Sequence, residues 1–542
     1  MERLRIAALV VLVVLFSSCQ NTSDRAGSPE DTDNPAYGDV LVIGTEADAD
    51  ALNPLVSVAN TGSDVYGQLF CQLARIKPDM KDFEPWLATR WEFSPDRRTL
   101  TFQLRDDVTW HDGEKFSAHD VVFSFDLYSS EEIGWKTIRW LEDIESVTAV
   151  DSFAVRFDFR QAYPDQFFDA WIFRPLPRHI LQNVSLDAMR TADFNRQPIG
   201  NGPFRFISWI PQQRIELAAY DGYFEGRPFL DRLVWKVIPD ATSLATQLGN
   251  GQIDLWPVVP SAQKVRVREL PNINVHSYPS RVYHYVCWNI ADPLFSDRSV
   301  RRALSMAIDR QKIIDSLLDG MGRPAMGPIP SFLWAHNPDL KQIPFDPQQA
   351  VELLAREGWV DRDGDGWLDR DGQPFEFEII TNGDNQIRAD ITVVLQEDLR
   401  KIGIKVVPRL VEWTVFVERL TRKKDFQAAV SAWVSAIKVD LTTIWHSRSI
   451  MDKYNIGHYA NPGVDSLIDH ARVELDRETA RDLWGRAQQI IVDDAPYTFL
   501  FVTDEVVAVD GRVRNVRPTT YSWDYNLCRW WVPTGEQRYP DW

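Results

Sequence analysis

Leu87 to Leu127 reads LATRWEFSPDRRTLTFQLRDDVTWHDGEKFSAHDVVFSFDL. Leu100, Phe102 and Leu104 alternate with polar Thr99, Thr101, Gln103 and Arg105, the two-residue period of a strand with one buried face. Ser94-Pro95-Asp96 before it and Asp112-Gly113 after it carry turn chemistry, because proline presets φ and glycine accepts the positive φ of tight turns. Ser117 and Asp120 stand at capping-box spacing, with aspartate in place of the usual glutamate, ahead of a run containing Val121, Val122 and Phe125. The stretch predicts a strand, a turn and a capped helix.

Outward from it, strand and helix patterns continue along the chain. Val155, Phe157 and Phe159 alternate again; Val40–Gly44 is a short apolar strand, and Ile215, Leu217, Leu233, Trp235 and Val237 read as strands. Asp240 to Leu248 predicts a helix ending at Gly249, and Val282–Ile290 (VYHYVCWNI) an aromatic strand. Val300, Leu304, Ala307 and Ile308 fall on one helical face. Asp346-Pro347 is an N-cap with proline at the first helical position, and that helix should stop at Gly358. Strand Phe375–Ile380, helix Arg388–Ile402 and strand Val406–Leu410 give βα alternation. Residues 465–492 read as helical, and the chain is expected to cross back to its first-formed lobe at 498–502.

At 542 residues the chain exceeds one core. Hydrophobic residues make up 44% and charged ones 25%, which fits a water-soluble globular protein. A formal charge of −19 argues against nucleic acid and anionic membrane surfaces as partners. Twenty-one tryptophans suit large cores and also sugar-binding walls. Arg3 and Arg5 precede the apolar run Ile6–Phe16, which is shorter than the ~20 residues of a bilayer span and fits a signal peptide over 1–18. Phe16-Ser17-Ser18-Cys19 resembles a lipobox with Phe16 where leucine is usual, so Cys19 is the expected lipidation site. Residues 19–38 are polar and read as a flexible tether. Cys71, Cys287 and Cys528 allow at most one internal disulfide.

Further motifs accompany the first stretch: Leu52-Asn53-Pro54-Leu55, Gly200-Asn201-Gly202-Pro203-Phe204, Gly251-Gln252-Ile253-Asp254-Leu255, and the run from Pro293 through Val300, Ala303, Asp309 and Arg310. With Leu87–Leu127 they resemble the family 5 solute-binding proteins of ABC importers, the oligopeptide, dipeptide, nickel and oligosaccharide binders, over nearly the whole mature chain. The resemblance implies an α/β, periplasmic-binding-protein-like fold (type II, cluster C): two lobes about a hinge, with an extra inserted domain. The base lobe would comprise residues 39–70, 181–282 and 497–542, the inserted domain 71–180 and the second lobe 283–496.

The same resemblance places the ligand site. Val58, Ala59 and Asn60 fall where oligopeptide binders offer backbone groups to an extended ligand. Trp433 matches the tryptophan of the ligand chamber, with Val434, Ser435 and Ala436 following it. Tyr285, Asn289, Trp445 and Asn455 complete the expected cleft. Free-peptide binders carry a carboxylate three positions beyond the tryptophan, to hold the ligand's α-amino group; here that position is Ala436, and Asp440 lies four further on. A peptide-like solute is the leading cargo and an oligosaccharide the alternative. The expected partners are that ligand, an ABC permease and, through the lipid, a bacterial membrane; the receptor itself should be an exported monomer.

Enzyme motifs are missing: no GxSxG, HExxH, P-loop or GxGxxG occurs. A secreted glycosidase or peptidase is the alternative of another class, since carboxylate pairs leave no motif, but no catalytic residue and no cofactor is expected. Asp361, Asp363, Asp365 and Gly366 form the first half of a calcium loop whose closing position, the twelfth, is Gly372 rather than glutamate. No metal site is assigned there.

Overall fold

The computed structural model describes residues 34–539, so the expected signal peptide and Cys19 lie outside the described residues. The quoted stretch folds as its pattern predicts. Strand Thr99–Leu104 buries alternate side chains and sits between Ala88–Phe93 and Ala154–Phe159 in a four-stranded antiparallel sheet completed by Ile144–Asp151. Helix Ala118–Tyr128 begins with the capping box, in which the Ser117 N–H donates to Asp120 Oδ2 at 2.8 Å. Asp120 Oδ1 also accepts the Arg178 N–H at 3.0 Å, so one carboxylate caps a helix and pins the start of the short helix Arg178–Leu181.

A second, eleven-stranded mixed sheet runs through the rest of the molecule. Its order is Lys405–Val411, Glu376–Asn382, Ala428–Val434, Ile273–Trp288, Tyr497–Asp510, Leu255–Trp256, Val40–Thr45, Arg232–Val237, Arg214–Ala219, Phe204–Ile210, with Gly322–Pro324 paired beside Tyr497–Asp510. The two long central strands belong to both halves. Their antiparallel register slips between Pro279 and Tyr283, and such a bulge bends and twists the strand that carries it. This is a two-lobed α/β fold joined by a strand pair.

Several expectations need correcting. Strand 282–290 is the end of a sixteen-residue strand, Ile273–Trp288; Pro279 and the polar side chains before it conceal the first half. The crossing at 498–502 is part of strand Tyr497–Asp510. Helix Arg298–Met306 stops before Ala307 and Ile308, because Asp309 caps the next helix, Arg310–Leu318, through the Lys312 N–H. Residues 465–492 hold two helices, Pro462–Ala471 and Arg477–Asp494. Asp476 accepts the Thr479 N–H at 2.9 Å and starts the second, the local competition by which aspartate interrupts helices.

The family-like motifs have structural tasks. A Cβ on Gly200 would stand 1.9 Å from the Leu69 carbonyl oxygen, and one on Gly202 2.4 Å from that of Gln68, so both positions require glycine beside the end of helix Asn60–Leu69. Asp254 is fully buried and accepts the Val42 N–H at 2.9 Å, Arg512 at 2.8 Å and Arg538 at 3.0 Å. Arg512 also pairs with buried Asp39, joining the start of the first strand to the C-terminal segment. Cys71 and Cys287 are buried thiols, and neither they nor Cys528 forms a disulfide. Burial pushes the Cys528 thiol up to about 11.

Candidate ligand cleft

Helix Asn60–Leu69 presents Asn60, Asp64 and Tyr66 to a cavity of about 520 Å³. Its N-cap is Ala59, and no side-chain cap starts the helix. The entry is held instead by Asp50, which accepts N–H groups from Val58 at 2.8 Å and Ala59 at 3.3 Å and the Ser57 hydroxyl at 2.7 Å. Burial acts against ionisation of Asp50, yet these bonds hold its carboxyl below the usual value. Across the cavity stand Arg75, Trp86, Trp171 and Arg174, Arg281 at the register slip, Ile437 of the loop after Trp433 and Asp524 of the C-terminal segment. The volume lies within the range of small-molecule sites.

Arg75 is neutralised by Glu225 at 2.6 Å and Glu84 at 3.4 Å. Arg174 donates to the Phe70 carbonyl and lies 5.8 Å from the Tyr66 ring centroid. Asp524 accepts Gln68 Nε2 at 2.6 Å and the Ser522 hydroxyl. Burial pushes Asp524 up to about 6. Burial first, and then the Asp524 charge, pushes Asp64 well above the carboxylate range.

A second cavity of about 370 Å³ adjoins the first, and Ile76 and Ile437 line both. Its walls are Met80, Phe83, Trp91, Phe167 and Phe168 on one side and Trp334, Lys438 and Arg477 on the other. Lys438 reaches from the loop after Trp433 to Asp169, a fully buried carboxylate that also accepts the Tyr163 hydroxyl at 2.8 Å. Burial outweighs Lys438 and pushes Asp169 up to about 6 and its neighbour Asp165 up to about 7.

Of the expected site residues, Asn60 alone lines the larger cavity, and none lines the smaller. The Val58 and Ala59 N–H groups are taken by Asp50. Trp433 is half-buried in strand Ala428–Val434, stacked on Tyr285 at 5.9 Å and edge-on to Tyr454 at 5.7 Å. Tyr285 continues the stack to Tyr497 at 4.2 Å, and Trp445 closes it from the side at 4.6 Å. Tyr285 and Trp445 are buried. Asn289 and Asn455 are buried too: Asn289 donates to the Phe426 carbonyl at 2.7 Å, and Asn455 accepts from the Tyr459 N–H at 2.9 Å. Both therefore fix loops. Val434 and Ala436 are exposed and Ser435 is buried, and the chain first meets the cavities at Ile437. Asp440 accepts the Thr442 N–H at 2.8 Å and pairs with Arg472 at 3.5 Å.

Sequence reasoning missed Asp64, Asp524, Arg281 and Lys438. Asp64 sits inside an ordinary helix and Asp524 in a loop near the far end of the chain. Lys438 is the first charge beyond Trp433, the one signal that was available. Asp361, Asp363 and Asp365 bring carboxylate oxygens within 4.8 Å of one another. Asp361 accepts the Gly364 and Gly366 N–H groups, and Asp365 that of Trp367, so these contacts shape an exposed hairpin.

Comparison with known proteins agrees with the fold. Residues 82–452 match the model of the bacterial extracellular solute-binding proteins, family 5 middle region. The oligopeptide-binding protein AppA of Bacillus subtilis is 32% identical over 535 residues, covering 97% of this chain and 98% of that protein. The structure of that AppA in complex with a nonapeptide superposes with a TM-score of 0.72 over 92% of this chain and 100% of its own. NikZ of Campylobacter jejuni, in complex with Ni(L-His), is 26% identical, with a TM-score of 0.73 over 91% and 99% of the two chains.

Proposed function

This chain belongs to the bacterial extracellular solute-binding proteins of family 5, transport receptors rather than enzymes, and on that footing we propose that its cargo is a peptide or peptide-like solute. The receptor works outside the cytoplasm and binds a small solute for an ABC importer. Cargo would sit in the 520 Å³ cavity, and what supports this is the origin of its walls: helix Asn60–Leu69, Gln72, Arg75, Trp171 and Arg174, Ile437 and the C-terminal Tyr521 and Asp524 come from far apart in the chain to face one space. A site built between lobes gives the ligand differential contact with the closed form, which is how binding shifts an open–closed equilibrium. The oligopeptide-binding relative supports a peptide. An oligosaccharide is the second reading, favoured by Trp86 and Trp171 on the larger cavity and Trp91 and Trp334 on the smaller. The loaded receptor, held to the membrane through Cys19, would dock as a monomer on its permease.

Native mass spectrometry of the exported protein, mixed with a pool of tri- to pentapeptides and a pool of malto- and cello-oligosaccharides, tests the reading. Retention of intact peptides at one per chain is expected. Retention of sugars alone, or cleavage of either pool, would overturn it.

A further inference from the structure

Arg97 and Arg477 both line the 370 Å³ cavity, and neither guanidinium forms an ion pair among the described residues. The Arg97 guanidinium lies 4.6 Å from the Phe93 ring centroid, and its Nε is buried without a hydrogen-bond partner. The residue has a φ of 54°, a left-handed backbone that arginine adopts only where its surroundings hold it. Here its N–H donates to the Ser94 carbonyl at 2.8 Å, and the buried Gln166 Nε2 donates to its own carbonyl at 2.7 Å. Arg477 lies 5.0 Å from the Trp334 ring centroid and donates to the Lys81 carbonyl. The acids beside them add little free negative charge. Asp82 pairs with Lys77 at 3.3 Å, Glu474 accepts the Asp476 N–H at 2.8 Å, and burial pushes Asp165 up to about 7.

Between the two arginines the walls are aromatic. The Phe83 and Phe167 rings stand 4.6 Å apart and those of Trp91 and Phe167 4.9 Å apart, with Trp334 on the other side. Such rings stack on planar groups, and a guanidinium without a carboxylate of its own offers forked N–H donors to an anion. We propose that this cavity is a second binding site, distinct from the compartment given to the cargo, and that it takes an aromatic group bearing a negative charge. The ring lies against Phe83, Trp91 and Phe167; the anion pairs with Arg97, and Arg477 supplies the second cation. Two sources carry this chemistry. One is a free aromatic acid. The other is an aromatic residue at the carboxyl end of a cargo that reaches past Ile76 and Ile437, which line both cavities.

Calorimetry on the full exported protein compares indolepropionate, its primary amide and hexanoate. The indole acid is expected to bind about tenfold more tightly than either control. R97Q should bring it down to the level of the amide, R477Q should weaken it in the same direction, and R97K should keep most of the preference. Circular dichroism and melting temperature report whether each variant folds; where one does not, the wild-type comparison decides. Binding of the amide or of hexanoate as tight as that of the acid overturns the inference, as does failure of the wild type to bind the acid. An undiminished preference in folded R97Q also overturns it. Native mass spectrometry with a pool of tri- to pentapeptides ending in tryptophan then separates the sources. Peptide and indole acid together on one chain indicate a free acid, and mutual displacement indicates the end of the cargo. Failure of the peptide pool to bind overturns the cargo reading and leaves this inference standing, because the indole acid is measured without peptide.

Discussion

Lys438 Nζ lies 2.9 Å from both carboxylate oxygens of Asp169, so one ammonium ties the loop after Trp433 to helix Gln166–Trp171 across 269 positions of chain. Asp169 is fully buried and Lys438 mostly so. Truncating the lysine leaves a buried carboxylate unpaired, at a cost of roughly 3–5 kcal/mol, and separation of the lobes relieves it by rehydration. K438M should therefore enlarge the radius of gyration of the ligand-free protein at pH 7.5, measured by small-angle scattering. The pair K438M/D169N should return toward wild type. An unchanged radius in folded K438M would show that the contact does not hold the two together.

Acid should favour the ligand-free arrangement described here. Burial raises Asp169 and Asp524 to about 6 and Asp165 to about 7. A carboxyl raised in one state stabilises that state fully below its ordinary value near 4 and loses the effect as pH rises through the raised value. For Asp169 the difference is about 3 kcal/mol. Lowering the pH from 7.5 to 5 should shrink the wild-type radius and abolish the K438M defect, because Asp169 is then protonated. Expansion over the same range would reverse the assignment.

Trp433→Ala should act on stability more than on cargo. The ring is half-buried against Tyr285 and Tyr454 and lines neither cavity. Loss of a partly buried indole costs about 2–3 kcal/mol, read as a lowered melting temperature. Affinity for a retained peptide should change less than about tenfold. A larger loss would return Trp433 to the wall of the site.

Cys19 lies outside the described residues, and its role is tested by fractionation. Wild-type protein made in a bacterial host should partition with membranes, and C19S should be released, since each buried CH₂ of an acyl chain is worth ~0.8 kcal/mol. Wild type recovered in buffer without detergent would remove the anchor.

Local features were legible in the sequence because local rules produce them. Alternation gave strand Thr99–Leu104, and the Ser117–Asp120 spacing gave the capped helix. The hinge was harder to see. Pro279 sits inside strand Ile273–Trp288, at the position where the register begins to slip, and proline argues against a central strand wherever no bulge accommodates it. The site was hardest. Gln68 and Asp524 bond across 456 positions of chain, and no pattern within a window of residues brings such groups together. Tyr285 and Trp445 drew attention through the family resemblance, yet both are enclosed in a ring stack; a resemblance carries residue types along without telling a core from a wall.

The clamp on Asp39 has a mechanical consequence. Arg512 grips that carboxylate and Asp254 together, and Asp254 in turn holds the backbone of Val42. Any load arriving along the chain from its N-terminal side thus meets the fold at a point braced against the C-terminal segment. A pull applied at Asp39 would be shared between the first strand and the far end of the chain, 473 positions away, rather than peel that strand alone from its sheet.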